Sequence, residues 1–118
     1  MIALNDLANK SLEIAKKRSQ HGLAADTTTC LKHCAGEVIE ALDAFNEWQN
    51  DLMFGSVSLG VTDPGFQKDY KKEYSDELAD IIVCALIAAA NSNIDIEMAI
   101  SNCVEKNNKR ASGIGDKY

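Results

Sequence analysis

Glu77-Leu78-Ala79-Asp80-Ile81-Ile82-Val83-Cys84-Ala85-Leu86-Ile87-Ala88-Ala89-Ala90 decides the fold class of this chain. From Ile81 to Ala90 every position is apolar, so a helix through it has no polar side. The run is too short to cross a bilayer and fits a helix buried among other helices. A helix that is apolar all round must be covered all round. Partner helices in one small chain can hardly do that, so a subunit interface is expected to cover the remainder.

Helical periodicity continues on both sides of this stretch. Helix three is expected from about Lys68 or Asp69 to about Asn91, and Asn91-Ser92-Asn93 makes the next turn. Asp95 is a candidate N-cap for helix four, which runs to about Arg110 with Ile96, Ala99, Ile100, Cys103 and Val104 turned inward. Ser112-Gly113-Ile114-Gly115 ends it, and residues 112–118 form a short tail. Upstream, Leu4, Leu7, Ala8, Ser11, Ile14 and Ala15 make the stripe of helix one, about residues 3–19. Helix two follows the N-cap candidates of Asp26-Thr27-Thr28-Thr29 and reaches about Gln49, with Cys30, Cys34, Val38, Ala41, Leu42 and Phe45 on its apolar face. Residues 50–67 carry Gly55, Gly60 and Asp63-Pro64-Gly65 and read as one long loop, a candidate lid over a bound ligand or a passive connector. The expectation is an all-α chain. A single domain, residues 1–118, forms a four-helix bundle-like protomer that pairs through helix three as a homodimer or homotetramer.

The 118 residues include 46% apolar and 25% charged side chains, an ordinary globular balance. A net charge of −6 opposes phosphate backbones, so nucleic acid is not an expected partner. Nothing in the opening residues resembles a secretion signal, and no membrane partner is expected. Cys30, Cys34, Cys84 and Cys103 all fall on apolar helical positions without a Cys-x-x-Cys pair, which reads as reduced core thiols in a cytoplasmic protein.

The acids are arranged rather than scattered. Glu37-Val38-Ile39-Glu40 and Glu77-Leu78-Ala79-Asp80 are both acid-x-x-acid. Residues three apart are neighbours on one helix face, with Cβ atoms roughly 5–6 Å apart. Each pair is a pincer of two carboxylates, and antiparallel packing of helices two and three would let all four converge. Hard oxygen ligands in that number suit Mg²⁺ or Mn²⁺. Most such pairs taken singly are only a solvated face. Position argues for more here, since Glu37 borders helix two's apolar face and Glu77 and Asp80 open into the apolar run. A di-iron carboxylate site would need Glu-x-x-His on two helices. The third residue after each glutamate is Glu40 or Asp80, so that chemistry does not fit.

Taken together, these motifs resemble the all-α nucleoside triphosphate pyrophosphatases of the MazG-like superfamily. Gly36-Glu37-Val38-Ile39-Glu40-Ala41-Leu42 is similar to that family's second helix and Asp76-Glu77-Leu78-Ala79-Asp80-Ile81-Ile82 to its third. Ile94-Asp95-Ile96-Glu97, ahead of Glu105-Lys106-Asn107-Asn108-Lys109-Arg110, is similar to its fourth. The resemblance covers roughly residues 26–49 and 70–111. The spacer between Glu40 and Glu77 is longer than is common in the family, and Cys103 stands where a lysine is often found.

The resemblance implies Mg²⁺-dependent hydrolysis of (deoxy)nucleoside triphosphates to the monophosphate and pyrophosphate, in the service of clearing unwanted nucleotides. Glu37, Glu40, Glu77 and Asp80 would hold the metal, with Glu37 or Glu40 as the base. Asn107 and Arg110, read as facing inward at the end of helix four's stripe, would meet the triphosphate, with Lys106 in place of the missing lysine. The competing reading for the cations of that last turn is simple compensation of the helix dipole. Trp48 is the first candidate to stack on a base, whereas Phe45 reads as core. His33, one turn before Glu37, is a candidate to hydrogen-bond substrate or to pair with Glu37 structurally. The alternative function is a non-catalytic helical module that binds a nucleotide or a protein.

Overall fold

The computed structural model describes residues 3–18, 27–54 and 69–113. The protein is all-α, with four helices among the described residues: α1 Leu4–Arg18, α2 Thr27–Phe54, α3 Tyr70–Asn91 and α4 Ile96–Ala111. The chain forms two compact units. One comprises Met1–Thr29 and Leu86–Tyr118, the other Cys30–Ala85.

In the first unit, α1 buries Ala8 and Ser11. Leu86, Ala88 and Ala89 at the end of α3 are buried as well, as the apolar run predicts for this half. α3 stops in a Schellman turn. Ile94 N–H donates to Ala89 O at 2.9 Å and Asn93 N–H to Ala90 O at 3.2 Å. Asn93 takes the left-handed conformation at φ 56° that the turn requires. Asn91 Nδ2 also donates to Thr27 Oγ1, at 2.8 Å. The expected cap is present: Asp95 Oδ1 accepts from Met98 N–H at 3.0 Å. At the other end of α4, Gly113 N–H donates to Arg110 O, with Gly113 at φ 76°.

Helix four departs from its expected burial. None of its residues is buried, and Ile100, Cys103 and Val104 are exposed. Apolar spacing defines a face but does not supply the surface that covers it. Cys103 is accordingly not a core thiol. All four cysteines are free, with Cys30 buried and Cys34 and Cys84 half-buried.

In the second unit, α2 and α3 run antiparallel. Cys30 Sγ donates to Cys84 O at 3.0 Å, and Cys34 Sγ lies 3.8 Å from Ile81 O. Further along, the rings of Phe45 and Trp48 meet Tyr74. The side of α2 that faces α3 follows a four-three spacing through Cys30, Cys34, Glu37, Ala41, Ala44 and Trp48. Ala41 and Ala44 are buried at its centre. Val38 and Leu42, expected on the covered face, are instead exposed at 50% and 58%. Round the helix, Val38 sits about 80° and Leu42 about 120° from the mean direction of that line. On α3, Ile82 is exposed at 56%, so the apolar run is covered on part of its circumference only. α2 also extends through Phe54, so the first residues of the expected loop are helical. The rest of that loop lies outside the described residues.

Candidate active site

Helical spacing and antiparallel packing together build the acidic cluster. Glu37 and Glu40 project one turn apart from α2, and α3 brings Glu77 to them. One carboxylate oxygen from each of Glu37, Glu40 and Glu77 lies within 4.8 Å of the other two. Asp80 does not join this triad of oxygens; it is exposed, but its charge acts on both Glu37 and Glu77.

Like charges crowded this closely cannot all stay ionised without a counter-ion. Loss of solvent, then the hydrogen bond and charge of Glu40, push the Glu37 carboxyl up to about 7. Loss of solvent also raises Glu77, aided by the Glu40 and Asp80 charges, while a hydrogen bond with Glu37 partly offsets the rise. Glu37 Oε2 and Glu77 Oε2 are both buried without a hydrogen-bond partner. Buried carboxylate oxygens left this way are costly. A divalent cation would satisfy both and remove the repulsion, so the donor set fits Mg²⁺ or Mn²⁺.

One turn of α3 before Glu77, Tyr74 packs on two aromatic rings of α2. Its centroid is 5.4 Å from Phe45 and 6.0 Å from Trp48, and Phe45 meets Trp48 edge-on at 6.3 Å. Trp48 and Tyr74 are half-buried. Phe45 is 37% exposed, so it is not the core residue its spacing implies. Sequence reasoning missed Tyr74. The available signal was its place three residues ahead of Glu77, on the same face of α3. His33 is exposed.

Cys84 is close enough to this cluster to be shaped by it. Burial, then the neighbouring Cys30 and Cys34 thiols, push its thiol up to about 11, which keeps it protonated and poorly nucleophilic.

Lys106, Asn107 and Arg110 lie on α4, in the other unit. Lys106 and Asn107 are exposed, and Arg110 is half-buried. Asn107 thus does not face inward. Its Nδ2 lies 3.8 Å from Cys103 Sγ, one turn earlier. Lys109 pairs loosely with Glu105 at 3.7 Å on the exposed side.

The MazG nucleotide pyrophosphohydrolase domain family matches residues 25–114. The chain belongs to that family. Neither the curated proteins nor the solved structures yield a match to this chain. The MazG match spans α2, α3 and α4, and so contains the acidic cluster, the aromatic rings and the basic end of α4 together.

Proposed function

We propose that this MazG-family protein hydrolyses (deoxy)nucleoside triphosphates to the monophosphate and pyrophosphate. Glu37, Glu40 and Glu77 would hold Mg²⁺ or Mn²⁺, with Asp80 completing the negative field around it. The observation that carries this reading is the convergence of three carboxylates from two helices, two of them with buried oxygens that lack a partner. When bound, the cation supplies neutralisation of the triphosphate charge.

The chain's own groups supply the rest. A carboxylate must take the proton from the attacking water. Glu40 is the exposed member of the cluster and Glu37 the one whose proton affinity lies near neutral pH. Either can act as that base. Arg110 and Lys106 would oppose phosphate charge, with Asn107 as a hydrogen-bond donor. Trp48, with Tyr74 beside it, offers a ring face to a base, and His33 a polar contact at the rim. The assembly would hold at least two copies of the chain, work in the cytoplasm and serve nucleotide-pool housecleaning.

The test is a panel of (d)NTPs incubated with the protein and Mg²⁺, with products resolved as monophosphate plus pyrophosphate or diphosphate plus phosphate. Monophosphate and pyrophosphate in equal amounts are expected. Absence of turnover across the panel, with Mg²⁺ or Mn²⁺, would reject the reading.

A further inference from the structure

The α2–α3 contact holds three thiols that the proposed hydrolysis does not use. Cys30 and Cys34 stand on consecutive turns of α2, and Cys84 lies opposite them on α3. All three are free. Cys30 Sγ meets Cys84 O at 3.0 Å, and Cys34 Sγ lies 3.8 Å from Ile81 O, about one turn earlier in α3. Thiols that touch the opposite backbone mean that one short side chain separates the two helices here. A disulfide needs such an approach, since its Cβ atoms lie only about 3.5–4.5 Å apart.

The direction of the side chains selects the pair. Helical Cα–Cβ bonds tilt toward the helix N-terminus. In antiparallel neighbours these tilts oppose each other. Cys34 leans toward the Cys30 turn and Cys84 toward the Ile81 turn, so these two sulfurs converge. Cys30 leans away from Cys34, and its sulfur rests on a carbonyl. Exposure agrees: Cys34 and Cys84 are half-buried, whereas Cys30 is 5% exposed. A small oxidant reaches the first two.

We propose that Cys34 and Cys84 are a redox pair, which a peroxide closes into a disulfide that clamps α2 to α3. Hydrogen peroxide oxidises the Cys34 thiol to a sulfenic acid and releases one water. Cys84 is the poorer nucleophile of the article's two accessible thiols only in bulk terms; held against Cys34, its sulfur attacks Cys34 Sγ. The S–S bond forms, and the sulfenic hydroxyl leaves with the Cys84 proton as a second water. Each sulfur gives up one electron, and the broken O–O bond of the peroxide takes both. The link lies one turn of α2 from Glu37 and one turn of α3 from Asp80. It resists separation of the helices that carry the crowded acids, so the oxidised protein tolerates loss of a cation better than the reduced one. The proposal stands independently of the hydrolase reading, because it rests on thiols and backbone contacts alone.

The test is treatment of the full chain with hydrogen peroxide. Cys103→Ser serves as the background, because it removes the exposed thiol as a source of links between chains. Peptide mapping without reductant should find Cys34 joined to Cys84 with the loss of two hydrogen atoms, and dithiothreitol should reverse it. With a chelator present, the oxidised form should melt at least about 5 °C above the reduced form. Cys30→Ala should still form the link, whereas Cys34→Ser and Cys84→Ser should not. Mapping on the chain that keeps all three thiols decides the pair if one of these variants does not fold. A link through Cys30, or oxidation of Cys34 to the sulfinic acid without a link, would overturn the pair. A melting temperature unchanged or lowered by the link would overturn the clamp. Turnover, measured separately, reports on the hydrolase reading alone.

Discussion

Asn5 and Asp95 close the start of α4 between them. Asn5 Nδ2 donates to Asp95 Oδ1 at 2.9 Å, and Asn5 Oδ1 accepts the Ile96 N–H at 3.0 Å. Glu97 Oε1 returns the contact by accepting from Asn5 N–H at 3.1 Å. A side chain from the first turn of α1 thus satisfies amides at the N-terminus of α4, where a helix has no internal acceptors to offer. Replacing Asn5 with Ala should cost about 1 kcal/mol, read by urea denaturation. The loss should be non-additive with Asp95→Ala, since the two share a hydrogen bond.

The same contact sets an acid limit. The Asn5 hydrogen bond, then the Met98 N–H, hold the Asp95 carboxyl below its ordinary 3.8. Its contribution is complete above the unfolded-state value and is lost as pH falls through the lowered native one. Asn5→Ala should flatten the acid side of the stability profile below about pH 4, and an unchanged profile would remove Asn5 as the cause.

Glu37 has the opposite sign. Its native value near 7 lies above the unfolded 4.5, so the folded protein binds more protons between those values. Without metal, thermal stability should fall as pH rises through that window. Mg²⁺ should reduce the slope, and Glu37→Gln should remove most of it. A metal-free melting temperature that rises between pH 5 and 7 would contradict the crowding of these acids.

Glu40→Ala and Asp80→Ala should each lower kcat/KM by at least about 100-fold, on the scale typical of lost acid–base or charge-positioning groups. The fold should survive, because both side chains are exposed. Asp80 is the more informative position, since it stands outside the triad of converging oxygens. Full activity in Asp80→Ala would confine the metal-binding role to Glu37, Glu40 and Glu77.

Trp48 is the one tryptophan in the chain, so its fluorescence reports this site directly. Nucleotide with Mg²⁺ should change that emission, and Trp48→Ala should raise KM more than it lowers kcat. Emission that ignores saturating nucleotide would remove Trp48 from base recognition.

Much of this architecture was legible in the residues, because the deciding features are local. Asp95 is a cap by type and place, and Asn93 occupies the left-handed turn that a short polar side chain tolerates. Glu37, Glu40 and Glu77 were legible as a group because a three-residue spacing fixes two of them and antiparallel neighbours bring the third. What was not legible depends on which surfaces meet. Period alone marked Val38, Leu42 and Ile100 as apolar-face residues but could not say whether anything covers them. Tyr74 went unread because its role arises from Phe45 and Trp48 across the helix pair. The continuation of α2 through Phe54 was hidden by the glycine that follows, which marks the neighbourhood of an end without fixing its residue.

Ala41 and Ala44 have a consequence for how this protein can change. They occupy the α2 side of the α3 contact, buried between the acids on one side and the aromatic rings on the other. With nothing beyond Cβ, they set the gap between two backbones, as a shim sets the gap in a joint. A larger residue at Ala41 or Ala44 would touch no substrate and alter no charge. It would force α2 and α3 apart, and the oxygens of Glu37 and Glu40 would separate from Glu77 as the gap widened. Sequence drift at these two quiet positions is therefore metered by the chemistry beside them, and two of the smaller side chains on the helix are the hardest to enlarge.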